Sequence, residues 1–264
     1  MKTENAKIVS YSDRFKDPSA VEAYNSREYA PDSYATCIWQ IQRPMLEQLL
    51  KEFKRGLHGP LRLLDFACGT GRIVSCLEPL ADVAEGVDIS EKMVEVARRK
   101  CKKARLRVGD ILCSPEILQE RYDVITCFRF LLNADPETRK CVLRRLRQLM
   151  CDLEGLFLVN IHGNASSLRH MAILWKRWRL RRAPTAERAR VMLNEMGASE
   201  ARELLRESGF EVISQLGFGV MPPTFYRTPL RRLAAAIDRV FARRQWCKDW
   251  SIELLFVCRP NNRI

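Results

Sequence analysis

The chain has 264 residues, 47% of them hydrophobic and 29% charged, with a formal net charge of +13. That composition belongs to a globular protein able to bury a core, and it excludes a disordered or fibrous chain. No apolar run approaches the roughly 18 to 20 residues of a membrane span, the opening "MKTENAKIVSYSDRFKDPSA" has no apolar signal stretch, and the ten cysteines form no C-x-x-C pair, so a cytoplasmic protein with reduced thiols and no metal is expected.

Residues 1–60 read as a polar and aromatic leader, an N-terminal lid with Tyr24, Tyr29, Tyr34 and Trp39, passing into an amphipathic helix around "RPMLEQLLKEF". From 61 to 264 strands and helices alternate. The first strand, "LRLLDFA", ends in "CGTG", and "RIVSCLEPL" then has helical spacing. Gly69 and Gly71 therefore lie at a strand-to-helix turn, where glycine permits positive φ and close approach of a ligand to the backbone. Strand "DVAEGVDIS" precedes helix "EKMVEVARRKCKKA", strand "RLRVGD" a short helix "SPEILQE", and strand "YDVITCFRF" helix "PETRKCVLRRLRQLM". "GLFLVNIHG" is a fifth strand, "SEARELLRESGF" a helix, "EVISQLGFG" a sixth strand and "IELLFVC" a last one. Apolar strands separated by helices predict an α/β fold with a doubly wound, mostly parallel sheet covered on both faces.

Two segments interrupt this frame, at 165–197 and 220–249. Each contains an amphipathic basic helix, "SLRHMAILWKRWRLRR" and "PLRRLAAAIDRVFARR". Residues 165–197 and 227–248 each carry a balance of +6, nearly the whole excess charge. The fifth and sixth strands both run toward the ligand edge of the sheet, so both insertions leave on that side. They are expected to build helical lids, their apolar stripes packing on one another.

The acids at the strand ends indicate the ligand. Asp88 lies about twenty residues beyond the glycine turn, the spacing of a carboxylate that bonds ribose hydroxyls. A dinucleotide fingerprint would place a third glycine where Val74 stands, which disfavours that reading. Asp110 ends the third strand. Asp65, Asp88 and Asp110 thus line one edge, with Ile89 and Ile111 as apolar plates, an inventory suited to an adenosine without phosphates. Asp65 is expected to brace the turn through backbone N–H groups.

"LLDFACGTG", "GVDISEKMVEVARRK", "VGDIL" and "YDVITCFRFLLN", in this order, resemble the first four motifs of the class I S-adenosylmethionine-dependent methyltransferases of small-molecule type. The resemblance covers 61–161 and resumes more loosely over "ASEARELLRESGFEVI" and the terminal strand. It implies a Rossmann-like sheet of seven strands, the last antiparallel, with S-adenosylmethionine as cofactor. It places the methionine part against Ala67, Cys68, Gly69 and Gly71, the ribose on Asp88, the adenosine on Ile89 and Met93, and the adenine on Asp110 and Ile111. Phe128 to Phe130 would border the sulfonium and the substrate. Ala67 departs from the family's usual glycine by one methyl group.

Methyl transfer from a sulfonium is an in-line displacement that alignment can accelerate. His162, just past the fifth strand, is the candidate general base, with a structural role as its alternative. Phe130, Tyr34, Trp175 and Arg179 are the candidate substrate residues. The basic lids suggest a small-molecule acceptor that is anionic or lipid- or carrier-linked, with peripheral contact to a membrane surface. An RNA methyltransferase is a second reading, although "TCFRFLLN" lacks the Asn/Asp-Pro-Pro-aromatic element of amino methylases. A cofactor-binding partner without activity is a third.

Overall fold

The computed structural model describes residues 30, 33–151, 153–179, 195–242, 244 and 248–261, with the backbone alone at 176, 177, 179 and 227. Seven strands form one sheet: β1 (Arg62–Phe66), β2 (Val83–Asp88), β3 (Arg105–Val108), β4 (Val124–Cys127), β5 (Leu156–Ile161), β6 (Phe210–Phe218) and β7 (Glu253–Pro260). Their order is β3-β2-β1-β4-β5-β7-β6, and β7 alone runs antiparallel to its neighbours. This is the doubly wound, mostly parallel arrangement that the alternating elements predict. Because β5 and β6 both oppose β7, they run in the same direction. Both insertions therefore leave from the carboxyl edge.

The central strands are apolar along their whole length because helices cover both faces. Edge strand β3 reads "RLRV" and leaves most of its residues exposed, and arginines there discourage pairing with another chain. Among the described residues the helices are α1 (Tyr34–Gly56), α2 (Arg72–Leu77), α3 (Glu91–Lys100), α4 (Pro136–Leu149), α5 (Leu168–Arg179), α6 (Ala198–Glu207) and α7 (Arg231–Phe241). Ser33, Ser90 and Asp135 cap α1, α3 and α4 through side-chain oxygens. One core contains α4 and α6, and the other contains α1, α2 and α7.

Three expectations are corrected. Helix α1 begins nine residues before Arg43 and carries Pro44 inside it. Burial of Ala35, Cys37, Ile38 and Ile41 outweighs the local preference for starting a helix at proline. "SPEILQE" forms only a 3₁₀ turn at Pro115–Ile117. The stripes of the two insertions do not close on one another: Met171, Trp175, Trp178, Leu233 and Val240 are all exposed by 58% or more. Helix α7 instead buries Ala234 and Asp238. Tyr24, Tyr29 and the segment 180–194 lie outside the described residues. No helix among those described is long and apolar enough to cross a membrane.

Candidate functional site

The cleft opens where β1, β2 and β4 end. After Phe66 the backbone enters the left-handed region three times, at Ala67 (φ 54°), Gly69 (φ 52°) and Gly71 (φ 78°). The two glycines serve different needs. A Cβ on Gly71 would stand 2.8 Å from the Ala97 Cβ, so this glycine lets α2 and α3 touch. A Cβ on Gly69 would meet nothing within 4 Å, so its missing side chain leaves open space in the cleft. Ala67 takes a glycine-like conformation with a methyl group attached, at a cost of about 1 kcal/mol.

Asp65 is 1% exposed. Its carboxylate accepts from Thr126 Oγ1 at 2.7 Å and from the Val74 amide at 3.1 Å, and so caps α2, which has no cap of its own. Burial pushes its pKa up to about 7, against the two hydrogen bonds that lower it. Asp88 accepts from the Gly69 amide at 2.8 Å through one oxygen and from the Ser90 amide at 2.9 Å through the other. Burial raises its pKa too, and these amides oppose the rise. One carboxylate therefore ties the glycine turn to the start of α3.

Ala67, Cys68, Gly69, Asp88, Ile89, Met93 and Phe128 share the wall of this cleft. Gly71, Asp110 and Ile111 stand outside it. Asp110 accepts from the Leu112 amide at 2.8 Å and turns the chain after β3, and Ile111 is 2% exposed in the core. Phe130 packs edge-on against Phe66, ring centres 5.0 Å apart. Tyr34 meets Tyr226 edge-on at 5.3 Å, under α7. Trp175 is 59% exposed on α5, and the Arg179 side chain is outside the description.

Two cations stand in the wall: Arg72, not singled out by sequence, and Arg129, the middle of the Phe128 to Phe130 stretch expected to border the sulfonium. Arg72 opens α2, its guanidinium 5.0 Å from the Trp39 ring. Arg129 follows β4 with a φ of 57°, a left-handed conformation that bulky residues rarely adopt. The signal for Arg72 was its place directly after the glycine turn; the conformation of Arg129 left no trace in sequence. Both act on His162, whose pKa is pushed down to about 3, first by burial and then by Arg129 and Arg72. His162 is therefore neutral at physiological pH.

A doubly wound sheet with a glycine turn cradled by strand-end carboxylates is the architecture of a class of transferases, and residues 63–152 match the family model described as a methyltransferase domain. Residues 63–152 are thus similar to a methyltransferase domain, and the whole sheet has the Rossmann-like fold seen in S-adenosylmethionine-dependent methyltransferase structures. The chain is 36% identical over 89 residues to a ubiquinone biosynthesis O-methyltransferase of Pelagibacter ubique (strain HTCC1062), covering 31% of this chain and 37% of the relative. It is 30% identical over 103 residues to a demethylmenaquinone methyltransferase of Leptospira interrogans, covering 36% and 41%. The chain thus spans less than half the length of these two curated relatives. Its fold is similar to magnesium protoporphyrin IX methyltransferase from Synechocystis PCC 6803 with bound SAH, with a TM-score of 0.57, 16% identity, and coverage of 93% of this chain and all of that one.

Proposed function

We propose that the chain transfers a methyl group from S-adenosylmethionine to a small-molecule acceptor that is anionic or lipid-linked, working against an anionic membrane surface. When bound, the donor supplies an electrophilic methyl group on a sulfonium. The open space before Gly69 suits its methionine part. Each Asp88 oxygen keeps lone pairs for ribose hydroxyls after accepting its backbone amide. Ile89, 46% exposed, and Met93 offer apolar contact to the adenosine. Asp110 and Ile111 would reach the adenine only from beyond the cleft wall.

With its pKa near 3, His162 has little basicity at neutral pH. We therefore assign it hydrogen bonding to the acceptor, and assign the acceleration to alignment. Arg72 and Arg129 supply positive charge for an acceptor carboxylate or an ionised hydroxyl. Phe130 and Tyr34 would shape the acceptor space from either side.

One observation carries the membrane part. Leu168, Met171, Leu174, Trp175, Trp178, Leu230, Leu233 and Val240 hold most of the exposed large apolar side chains, and all belong to the two basic insertions. A groove of about 630 Å³ between α1 and α7 adds Arg231, Arg232 and Arg239 beside Cys37, Gln40 and Ile41. Exposed Trp and Leu flanked by arginine suit the interface of an anionic bilayer. Relatives named for ubiquinone biosynthesis and demethylmenaquinone support a small, ring-bearing acceptor over RNA.

Two measurements test this. Calorimetry with S-adenosylhomocysteine should show binding that Asp88→Ala weakens more than tenfold; no heat with the native chain removes the methyltransferase reading. In sedimentation with phosphatidylglycerol vesicles, replacing Arg231, Arg232 and Arg239 by Gln should lower partitioning about a hundredfold, at about 1 kcal/mol per arginine. Equal partitioning to phosphatidylcholine vesicles, with salt-sensitive retention of bulk RNA, would favour the RNA reading.

A further inference from the structure

Asn160 Oδ1, His162 Nδ1 and the Tyr34 hydroxyl are buried without a hydrogen-bond partner among the described residues. Asn160 lies on β5 and faces the side covered by α1 and α7, as Leu156 and Leu158 do, and His162 follows just past the end of the strand. Asn160 is 1% exposed. Its Nδ2 donates to Glu253 Oε2 at 3.3 Å, and the same oxygen accepts from Gln42 Nε2 at 3.1 Å.

That bond settles the orientation of the amide. Glu253 Oε2 is the acceptor of this bond, so Asn160 turns its NH₂ toward Glu253 and its carbonyl away. The carbonyl is then a buried acceptor held in place with nothing to accept. Leaving such a group bare is costly, and a bound molecule that brings an O–H or N–H recovers the loss. Asn160 lies two residues before His162, near enough to the cleft for the charges of Arg72 and Arg129 in its wall to act on that histidine. Glu253 reaches this place because β7 runs backward: its first residue lies at the edge where β5 ends.

We propose that Asn160 Oδ1 receives a hydroxyl or amine of the acceptor, and that Glu253 is a positioning residue that holds the amide ready. The inference rests on the methyltransferase reading and narrows the acceptor to molecules carrying a neutral hydrogen-bond donor. Affinity for such a molecule depends on the donor and not on the apolar ring alone.

The test uses the full chain saturated with S-adenosylhomocysteine and two probes of equal shape, 2-naphthol and 2-methoxynaphthalene, titrated calorimetrically. The native chain should bind the naphthol about tenfold or more tightly than the ether. Asn160→Leu should bring the two within about twofold. Glu253→Gln, whose amide can also donate and so frees Asn160 to flip, should lower the preference while melting near the native temperature. S-adenosylhomocysteine affinity should stay constant in both variants, which separates this result from failure of the cofactor site. Equal affinities in the native chain, no saturable binding of either probe, or a preference that survives in Glu253→Gln and in any folded Asn160→Leu protein would overturn the inference. Loss of S-adenosylhomocysteine binding by the native chain would remove the methyltransferase reading and this inference with it.

Discussion

In the half of the sheet from β1 to β4, buried or turn carboxylates answer backbone amides close by. Asp65 holds Val74, Asp88 holds Gly69 and Ser90, Asp110 holds Leu112, and Glu78 takes the amides of Lys102, Lys103 and Ala104. In the half from β5 to β7, polar side chains also answer one another between separate elements. Gln42 meets Glu253, Arg202 and Gln215 meet Asp249, and Tyr226 meets Asp238 at 2.5 Å. The first pattern fixes a backbone shape. The second ties separate elements together, and on the inference above it leaves Asn160 Oδ1 for the acceptor.

The sharpest break of this contrast is Asp238→Ala. Asp238 is fully buried and takes the amides of Gly219 and Val220, both at 3.0 Å, besides the Tyr226 hydroxyl. Removing it strands three donors and should cost about 3 kcal/mol in denaturant unfolding. S-adenosylhomocysteine affinity should not change. If that affinity falls as far as stability, the halves are not separable.

Gly71→Ala should cost about 2 kcal/mol, from overpacking against Ala97 and from a strained φ. Gly69→Ala should cost only about 1 kcal/mol in stability while losing cofactor affinity. The pair distinguishes a glycine needed for packing from one needed for a ligand.

Two pH effects come next and have opposite signs. Asp65 titrates at about 7 when folded, against an ordinary 3.8. The folded chain holds that proton when the unfolded chain has lost it, so this group's contribution to stability falls as pH rises from about 4 to 7. His162 titrates at about 3, against 6.5. Here the unfolded chain takes the proton first, so stability falls as pH drops below 6.5. Thermal unfolding across pH 4 to 7 should lose the first slope in Asp65→Asn and the second in His162→Gln.

The smallest effect is Ala67→Gly. Relief of the left-handed strain exceeds the added freedom of the unfolded chain, and a net gain of about 0.5 kcal/mol is expected in the melting profile. A loss would mean that the Ala67 methyl group packs where the backbone alone gives no sign of it.

The legibility of the chain follows the same division. The alternation of strands and helices, the glycine turn and the strand-end acids were readable from "LLDFACGTG", "GVDIS" and "RVGD" because each is written in one short stretch of chain. What each glycine spares was not readable: the partner of Gly71 is Ala97, on another helix. The inward turn of Ile111 and the backbone of Arg129 depend on how β3 and β4 are packed, which periodicity does not encode. Glu253 lies 211 residues from Gln42 and 93 from Asn160, so no local pattern could join them. The exposed stripes of α5 and α7 had the right spacing, but spacing cannot say whether protein or something else covers an apolar face.

The reversed course of β7 makes the segment before it a replaceable cassette. It leaves β6 and rejoins the sheet at one rim, where Asn164 Nδ2 grips the carbonyl of Ser251 at 2.8 Å. Changes in its exposed parts can therefore be absorbed at that rim, provided Tyr226, Ala234 and Ala242 keep their places in the core shared with β1. New acceptor preferences could evolve there on an unaltered donor platform, by exchange of a single stretch of chain.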